Sequence, residues 1–138
     1  MMKKKIYRLL DANYNRAKEA TRVAEDLIRF IWNDRNLTRE LKNCRHEITK
    51  TLLTFPVKYR VLVQARDTGA DVGKHHVVRD QKQIPTLKDT TVINFKRGQE
   101  SLRVLEELSK AISQKHSDSF KRIRFKLYEL EKKAIRKF

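Results

Sequence analysis

Two segments of the chain repeat the same charged residues at helical spacing. Residues 13–30 read NYNRAKEATRVAEDLIRF and residues 94–111 read NFKRGQESLRVLEELSKA, with seven of eighteen aligned positions identical. The identical pairs are Asn13/Asn94, Arg16/Arg97, Glu19/Glu100, Arg22/Arg103, Val23/Val104, Glu25/Glu106 and Leu27/Leu108. At 100° per residue, most of the repeated charges fall in one stripe beside the apolar face of a helix. The stripe consists of Arg16, Glu19, Arg22 and Asp26 in the first copy and of Arg97, Glu100, Arg103 and Glu107 in the second.

The charges of this stripe suit two kinds of structure. Their signs alternate at i+3 and i+4 spacing, which favours a ladder of ion pairs along each helix. A solvated face has no reason to keep the same residue types in both copies, so we expect the stripe to lie near the seam of a bundle. Arginines held there with spare N–H groups facing a cavity bind phosphate. A partly buried structural network of charges explains the repetition equally well.

A second set of candidate residues lies between the two copies, in the sequence ARDTGADVG at residues 65–73. The set consists of Arg66, Asp67, Thr68, Gly69, Asp71 and Gly73. The two aspartates offer the hard oxygen ligands that Mg²⁺ prefers, and the glycines let the backbone approach an anion closely. We expect this loop to fold back onto the bundle beside Arg16 or Arg97, although ordinary turns use the same residue types. His75 and His76, which follow, are interpreted as loop histidines.

The elements that must position these residues are helices. Four stretches have an apolar period of 3.6 residues, at about 7–32, 37–53, 92–113 and 119–137, and Asn36 is the predicted N-cap of the second. The second helices repeat as well, because Lys42 matches Lys121 and Arg45 matches Arg124. The sequence therefore predicts an all-α fold, in which a duplicated helical hairpin forms a four-helix bundle with a long central loop or short-helix insertion. We expect one domain over residues 1–138, divided into hairpins at about 6–54 and 92–138 and a central segment at 55–91.

Composition limits the classes of function. The chain has 138 residues, 33 of them Lys or Arg and 17 Asp or Glu, so its formal net charge is +16. Such a charge attracts nucleic acids, acidic lipids or phosphorylated metabolites. The chain lacks an apolar run of the ~20 residues that a membrane span needs, and MMKKKIYRLL does not continue as a signal peptide. The single cysteine, Cys44, is predicted to lie in the core and excludes an internal disulfide. These features favour a cytoplasmic protein.

Five segments together resemble a known family. LLDANYNRAKEATRVAEDLIRF, LKNCRHEI, ARDTGADVG, INFKRGQESLRVLEEL and RIRFKLYELE have the order and spacing of the ThiD2-type domain, from Arg8 to about Glu131. This domain is fused to the N-terminus of some thiamine-phosphate synthases and is also free-standing. The chain departs from the usual family residues at Ala20–Thr21, Lys74 and Ile93. The resemblance implies a kinase that uses ATP to convert hydroxymethylpyrimidine phosphate to its diphosphate in thiamine biosynthesis, here working alone.

This implied reaction suggests a role for each candidate residue, since phosphoryl transfer needs mainly positioning and neutralisation of charge. Asp67 and Asp71 are predicted to hold Mg²⁺. The predicted catalytic residues are Arg66, Asp67, Asp71, Glu19 and Glu100. The predicted substrate-binding and phosphate-binding residues are Asn13, Arg16, Arg22, Arg45, Thr68, Gly69, Gly73, Asn94, Arg97 and Arg103. The expected ligands are a phosphorylated pyrimidine and ATP, thiamine-phosphate synthase is an expected functional partner, and a homodimer is left open.

Two further functions compete with the kinase. The first is a non-catalytic helical module that docks on a thiamine-pathway enzyme. The fusion of such domains to thiamine-phosphate synthases and the lack of a known ATP motif favour this alternative. The second is a nucleic-acid-binding protein, which the net charge favours. The alternation of the repeated arginines with carboxylates argues against it, because carboxylates repel a phosphate backbone.

Overall fold

The computed structural model describes residues 1–75 and 84–138, and within these ranges the secondary structure is entirely helical. Its helices are α1 (Met2–Phe30), α2 (Arg35–Leu53), α3 (Tyr59–Gln64), α4 (Leu87–Ser109) and α5 (Gln114–Ile135). The predicted all-α bundle with a short helix between two hairpins is therefore confirmed. Within the described ranges, no helix is both long enough and apolar enough to cross a bilayer.

The four long helices form a ring in which each packs against two neighbours. Helix α1 contacts α2 and α4, α5 contacts α2 and α4, and the short α3 lies on α1. Helices α2 and α5 run antiparallel, because Thr54 at the end of α2 meets His116 near the start of α5, whereas Glu40 meets Lys133 near its end. Since each hairpin is itself antiparallel, α1 and α4 also run in opposite directions. An approximate two-fold axis perpendicular to the helices thus relates the two hairpins.

The core is built from the apolar positions that recur every third or fourth residue. Its largest fully buried side chains include Phe95, Phe120, Ile28, Leu41 and Leu127, with at least one from each long helix. Cys44 belongs to this core, where burial raises the pKa of its thiol to about 12. The predicted core position of this cysteine is therefore confirmed, and its thiol stays protonated at neutral pH.

The same ion pair links the two helices of each hairpin. Arg45 on α2 donates from Nε to Glu25 on α1 at 2.8 Å, and Arg124 on α5 donates from Nη2 to Glu106 on α4 at 3.3 Å. Both glutamates are almost fully buried. A buried carboxylate without a partner is costly, so each glutamate requires its arginine. These pairs explain why Glu25 and Glu106, and the arginines opposite them, are repeated.

Two helix starts differ from the sequence-based prediction. Asp34, not Asn36, caps α2, since its Oδ1 accepts a hydrogen bond from the backbone N–H of Leu37 at 2.9 Å. Helix α4 begins at Leu87, five residues before the predicted start, because Thr86 and Asp89 form a reciprocal capping box. Each cap satisfies backbone donors that the first turn of a helix leaves without partners.

Candidate functional site

A groove between α1 and α4 brings the two repeats together. It encloses about 600 Å³ and is lined by five residues from each helix. The lining residues are Asn13, Arg16, Glu19, Ala20 and Val23 on α1, and Asn94, Arg97, Glu100, Ser101 and Val104 on α4. Each residue of the first set has its equivalent, 81 positions later, in the second. The structure therefore joins six of the predicted site residues, three from each copy, in one cavity.

Two buried asparagines lie at equivalent places in this groove and are oriented in the same way. Nδ2 of Asn13 donates to the carbonyl oxygen of Leu9 at 3.0 Å, and Nδ2 of Asn94 donates to the carbonyl oxygen of Thr90 at 2.8 Å. Each bond reaches back four residues along its own helix and fixes the amide. The side-chain oxygen of each asparagine remains as the atom able to accept a hydrogen bond from a ligand.

Four charged side chains of the groove have no hydrogen-bond or ion-pair partner among the described residues. They are Arg16, Glu19, Arg97 and Glu100, and all four are exposed. The ladder of ion pairs predicted for the stripe therefore does not form at the groove. It forms one turn further along, where Arg22 meets Asp26 at 3.3 Å and Arg103 meets Glu107 at 3.1 Å.

Three predicted phosphate-binding arginines lie outside the groove. Arg22 and Arg103 are exposed and engage the carboxylates of their own helices, while Arg45 is committed to the buried Glu25. An arginine that already neutralises a buried carboxylate has little left to offer a ligand, because withdrawing it would leave that carboxylate unpaired. The structure thus separates the repeated arginines into a pair that lines the groove and others that do not.

The segment after α3 is tied to α1 rather than to the groove. Arg66 donates from Nε and Nη2 to the buried carboxylate of Asp11 at 2.7 and 2.8 Å, and Arg8 donates to the backbone oxygen of Asp67 at 2.8 Å. The Asp11 carboxylate raises the pKa of the Arg66 guanidinium above its ordinary value. The expected place beside Arg16 or Arg97 is therefore wrong, since the contacts fall on the part of α1 that precedes Asn13.

The carboxylates of Asp67 and Asp71 accept hydrogen bonds within their own segment. Oδ1 of Asp67 accepts from the backbone N–H of Ala70 at 3.1 Å, and Oδ1 of Asp71 accepts from that of Gly73 at 2.9 Å. Both aspartates are exposed, as are Thr68 and Gly69. No group of three His, Cys, Asp or Glu residues in the described ranges has the arrangement to hold a metal ion. The expected Mg²⁺ site at Asp67 and Asp71 therefore has no support from their geometry, and His76 lies outside the described residues.

Three ion pairs, those of Asp11, Glu25 and Glu106, were not predicted from the sequence. Asp11 was not singled out, although it is part of the DAN sequence that precedes the first charged stripe. Glu25 and Glu106 were seen to repeat but were given no role. The signal for the glutamates was available, since both fall beside apolar positions of their helices and both have an arginine at the matching place in the following helix.

Comparison with known proteins gives this geometry a context. A model of the ThiD2 family matches residues 8–133. The chain is 36% identical over 126 residues to the thiamine-phosphate synthase of Nostoc punctiforme, covering 91% of this chain and 34% of that protein. It is also 36% identical over 127 residues to the thiamine-phosphate synthase of Thermosynechococcus vestitus, covering 92% and 34%, and 34% identical over 123 residues to that of Rhodopirellula baltica, covering 89% and 32%. No solved structure matches.

These matches correct the expected activity. The chain spans about a third of the length of the relatives that it matches. Those relatives are named as synthases of thiamine phosphate, which points to thiamine biosynthesis and not to phosphorylation of hydroxymethylpyrimidine phosphate. The kinase assignment is therefore wrong, and the ATP co-substrate that accompanied it loses its basis.

Proposed function

The chain belongs to the ThiD2 family, and from this premise we propose that it is a domain of thiamine biosynthesis whose α1/α4 groove binds a phosphorylated pyrimidine. One observation carries the proposal: Arg16 and Arg97 line the same groove and have no ion-pair partner among the described residues. A guanidinium that satisfies no carboxylate of its own protein retains its fork of N–H donors for phosphate oxygens.

The remaining groove residues suit the organic part of such a ligand. The oxygens of Asn13 and Asn94 are hydrogen-bond acceptors, which match the exocyclic amino group of an aminopyrimidine. Val23 and Val104 supply apolar surface for a ring. A volume of about 600 Å³ lies within the range of ~300–1,000 Å³ found for small-molecule sites. The groove is therefore suited to a small molecule with one anionic end and one flat, polar end.

The two glutamates of the groove set a requirement on the ligand. Glu19 and Glu100 balance the charge of the two arginines, so the groove has no net formal charge. A bare anion gains little from such a site, whereas a ligand with both a phosphate and N–H donors can satisfy both kinds of group. We therefore expect the phosphorylated pyrimidine to bind more tightly than inorganic phosphate.

The relatives support a place for this domain in the pathway. We propose that it works with thiamine-phosphate synthase, because that is the printed name of the longer relatives in which an equivalent segment occurs. Binding would keep a phosphorylated precursor or product of the synthase beside the enzyme. Any magnesium would enter with the phosphate of the ligand, since magnesium in proteins is commonly bound through substrate phosphates together with few carboxylates.

Isothermal titration tests the proposal. The chain is titrated with hydroxymethylpyrimidine phosphate, with the unphosphorylated pyrimidine, with thiamine phosphate and with inorganic phosphate. A double variant, Arg16→Ala with Arg97→Ala, removes both groove arginines. The matched control, Arg22→Ala with Arg103→Ala, removes the same charge from the same two helices but outside the groove.

We expect the groove variant to weaken binding of the phosphorylated pyrimidine at least ~100-fold, because each charge-assisted hydrogen bond contributes about 1.5–3 kcal/mol and 1.4 kcal/mol corresponds to tenfold. The control should change binding only slightly, through long-range charge. If the two double variants weaken binding equally, the effect is one of net charge and the groove is not the site. Absence of binding by any of the phosphorylated compounds would refute the proposed function itself.

A further inference from the structure

The groove is built twice from nearly the same residues. Of its five equivalent pairs, four are identical, and the fifth is Ala20 and Ser101. The hydroxyl of Ser101 donates to the backbone oxygen of Arg97 at 2.8 Å, so this single difference does not alter the charged or amide groups of the groove. Whatever one half of the groove can bind, the other half can bind with nearly the same chemistry.

The direction of the helices places the two halves apart. A Cβ atom at Gly98 would lie 3.8 Å from Cβ of Ala20 and 3.7 Å from Oγ1 of Thr21, so Gly98 faces these residues and not its own equivalent, Ala17. With this antiparallel register and a rise of 1.5 Å per residue, Asn13 and Asn94 are about 17 Å apart along the helices. The asparagines therefore mark opposite ends of the groove.

Each asparagine has an arginine of its own helix beside it. Arg16 follows Asn13 by three residues, and Arg97 follows Asn94 by three residues, so each pair lies on one face of its helix. In the same register, Val104 of α4 lies within two residues of the level of Asn13, and Val23 of α1 lies within two residues of the level of Asn94. One half-site thus combines an asparagine and an arginine from one helix with a valine from the other.

We propose that the groove holds two phosphorylated pyrimidine ligands per chain, one in each half-site. This inference rests on the proposed function, because it assigns the groove to a phosphorylated small molecule. The arginine of each half binds the phosphate, the asparagine oxygen accepts a hydrogen bond from the ring substituent, and the valine of the facing helix contacts the ring. The two asparagines are about 17 Å apart along the helices, so one ligand of this size cannot contact both, and two molecules are needed to use both halves.

The two affinities should be close. Among the ten residues that line the groove, only the Ser101 hydroxyl distinguishes the half-sites, and one neutral hydrogen bond changes affinity by about tenfold at most. The variant Ser101→Ala makes the two linings identical in residue type and should bring the two dissociation constants together. That variant leaves every proposed phosphate-binding and amide group in place, so it also serves as a control for folding.

The test is the stoichiometry of binding. The full chain, Arg16→Ala and Arg97→Ala are each titrated with hydroxymethylpyrimidine phosphate by calorimetry, and bound ligand is counted independently by native mass spectrometry. We expect two molecules per chain for the unaltered protein and one for each single variant, with the remaining site retaining an affinity within about tenfold. Arg22→Ala should still bind two, and circular dichroism confirms that every variant is folded.

A different result would overturn the inference while leaving the proposed function intact. One molecule per chain, with both single variants weakening that one site, would mean that both arginines hold a single ligand at the centre of the groove. Failure of the unaltered chain to bind any phosphorylated pyrimidine would instead remove the proposed function, and the inference would fall with it.

Discussion

The buried ion pair between Glu106 and Arg124 gives the sharpest prediction on stability. Glu106 is 4% exposed and Arg124 is 7% exposed, and their closest N–O distance is 3.3 Å. Changing Glu106 to Ala leaves a buried guanidinium whose remaining hydrogen-bond partner is the hydroxyl of Tyr128 at 3.1 Å. Breaking such a pair costs about 3–5 kcal/mol, and the long distances here favour the lower end.

The expected loss can be measured with a control at the adjacent position. Glu107 is also a glutamate of α4 that contacts Arg103, but it lies on the exposed side of the helix. For a chain of this length, a loss of about 3 kcal/mol lowers the melting temperature by roughly 10 °C. We therefore expect a large shift for Glu106→Ala and a small one for Glu107→Ala, in thermal and urea unfolding followed by circular dichroism.

A second variant separates the pair from its individual charges. Replacing both partners, with Glu106→Leu and Arg124→Met, removes the buried charges together, so most of the stability lost by Glu106→Ala should return. Equal losses of stability for Glu106→Ala and Glu107→Ala would refute the argument, because they would show that the buried ion pair stabilises the fold no more than an exposed one. A double variant that is no more stable than Glu106→Ala would contradict it as well.

Three further predictions concern packing, reactivity and pH. Gly98→Leu should destabilise the bundle by about 1–3 kcal/mol in urea unfolding, since even a Cβ at this position would lie 3.2 Å from Cδ1 of Leu127 on α5; a stability equal to that of the unaltered chain would show that the packing around Gly98 is loose. Cys44 should react with a thiol reagent at pH 8 only after unfolding, because burial raises its pKa to about 12; rapid labelling of the folded protein would contradict its place in the core. The pKa of Glu40 is lowered, first by its hydrogen bond to Lys133, so the carboxylate contributes to stability above the pKa of an unfolded glutamate. This contribution is lost as the pH falls through the lower pKa of the folded state, so Glu40→Gln should flatten the loss of stability below about pH 5 in thermal melts at several pH values. An unchanged pH dependence of stability would exclude this carboxylate as a cause.

Much of the fold could be predicted because its signals are local or repeated. The apolar period identified the four long helices, and the offset of 81 residues identified the two hairpins. Helix ends were less predictable. Asp34 and Asn36 are both good capping residues, and the choice depends on the turn at Asn33, whose φ of 51° lies in the left-handed region. The first turn of α4 was missed because its exposed residues do not continue the apolar period.

The site was predictable only in part, because cross-helix partners leave no local signal. The repeat includes the residues that line the groove, but it also includes Arg22 and Arg103, which do not line it. Spacing along one helix predicted an ion pair between Arg16 and Glu19, yet Glu25 pairs with an arginine twenty residues later, on another helix. Local periodicity predicts which face of a helix a residue occupies. The packing of α2 and α4 against α1 determines whether that face is buried in the core, lines a groove or is exposed to solvent.

Taken together, the contacts of the repeated charges point to the groove by elimination. Glu25 and Glu106 are repeated because each is a buried carboxylate that pairs with an arginine of the next helix. Arg22 and Arg103 engage carboxylates of their own helices. The repeated charges that then remain without a partner among the described residues are Arg16, Glu19, Arg97 and Glu100, and all of them line one cavity. A bundle gains nothing in stability from placing unpaired charges of both signs along its most extensive helix contact. Binding of a ligand that carries both a phosphate and hydrogen-bond donors gives these four residues a common role, and it does so for both copies of the repeat.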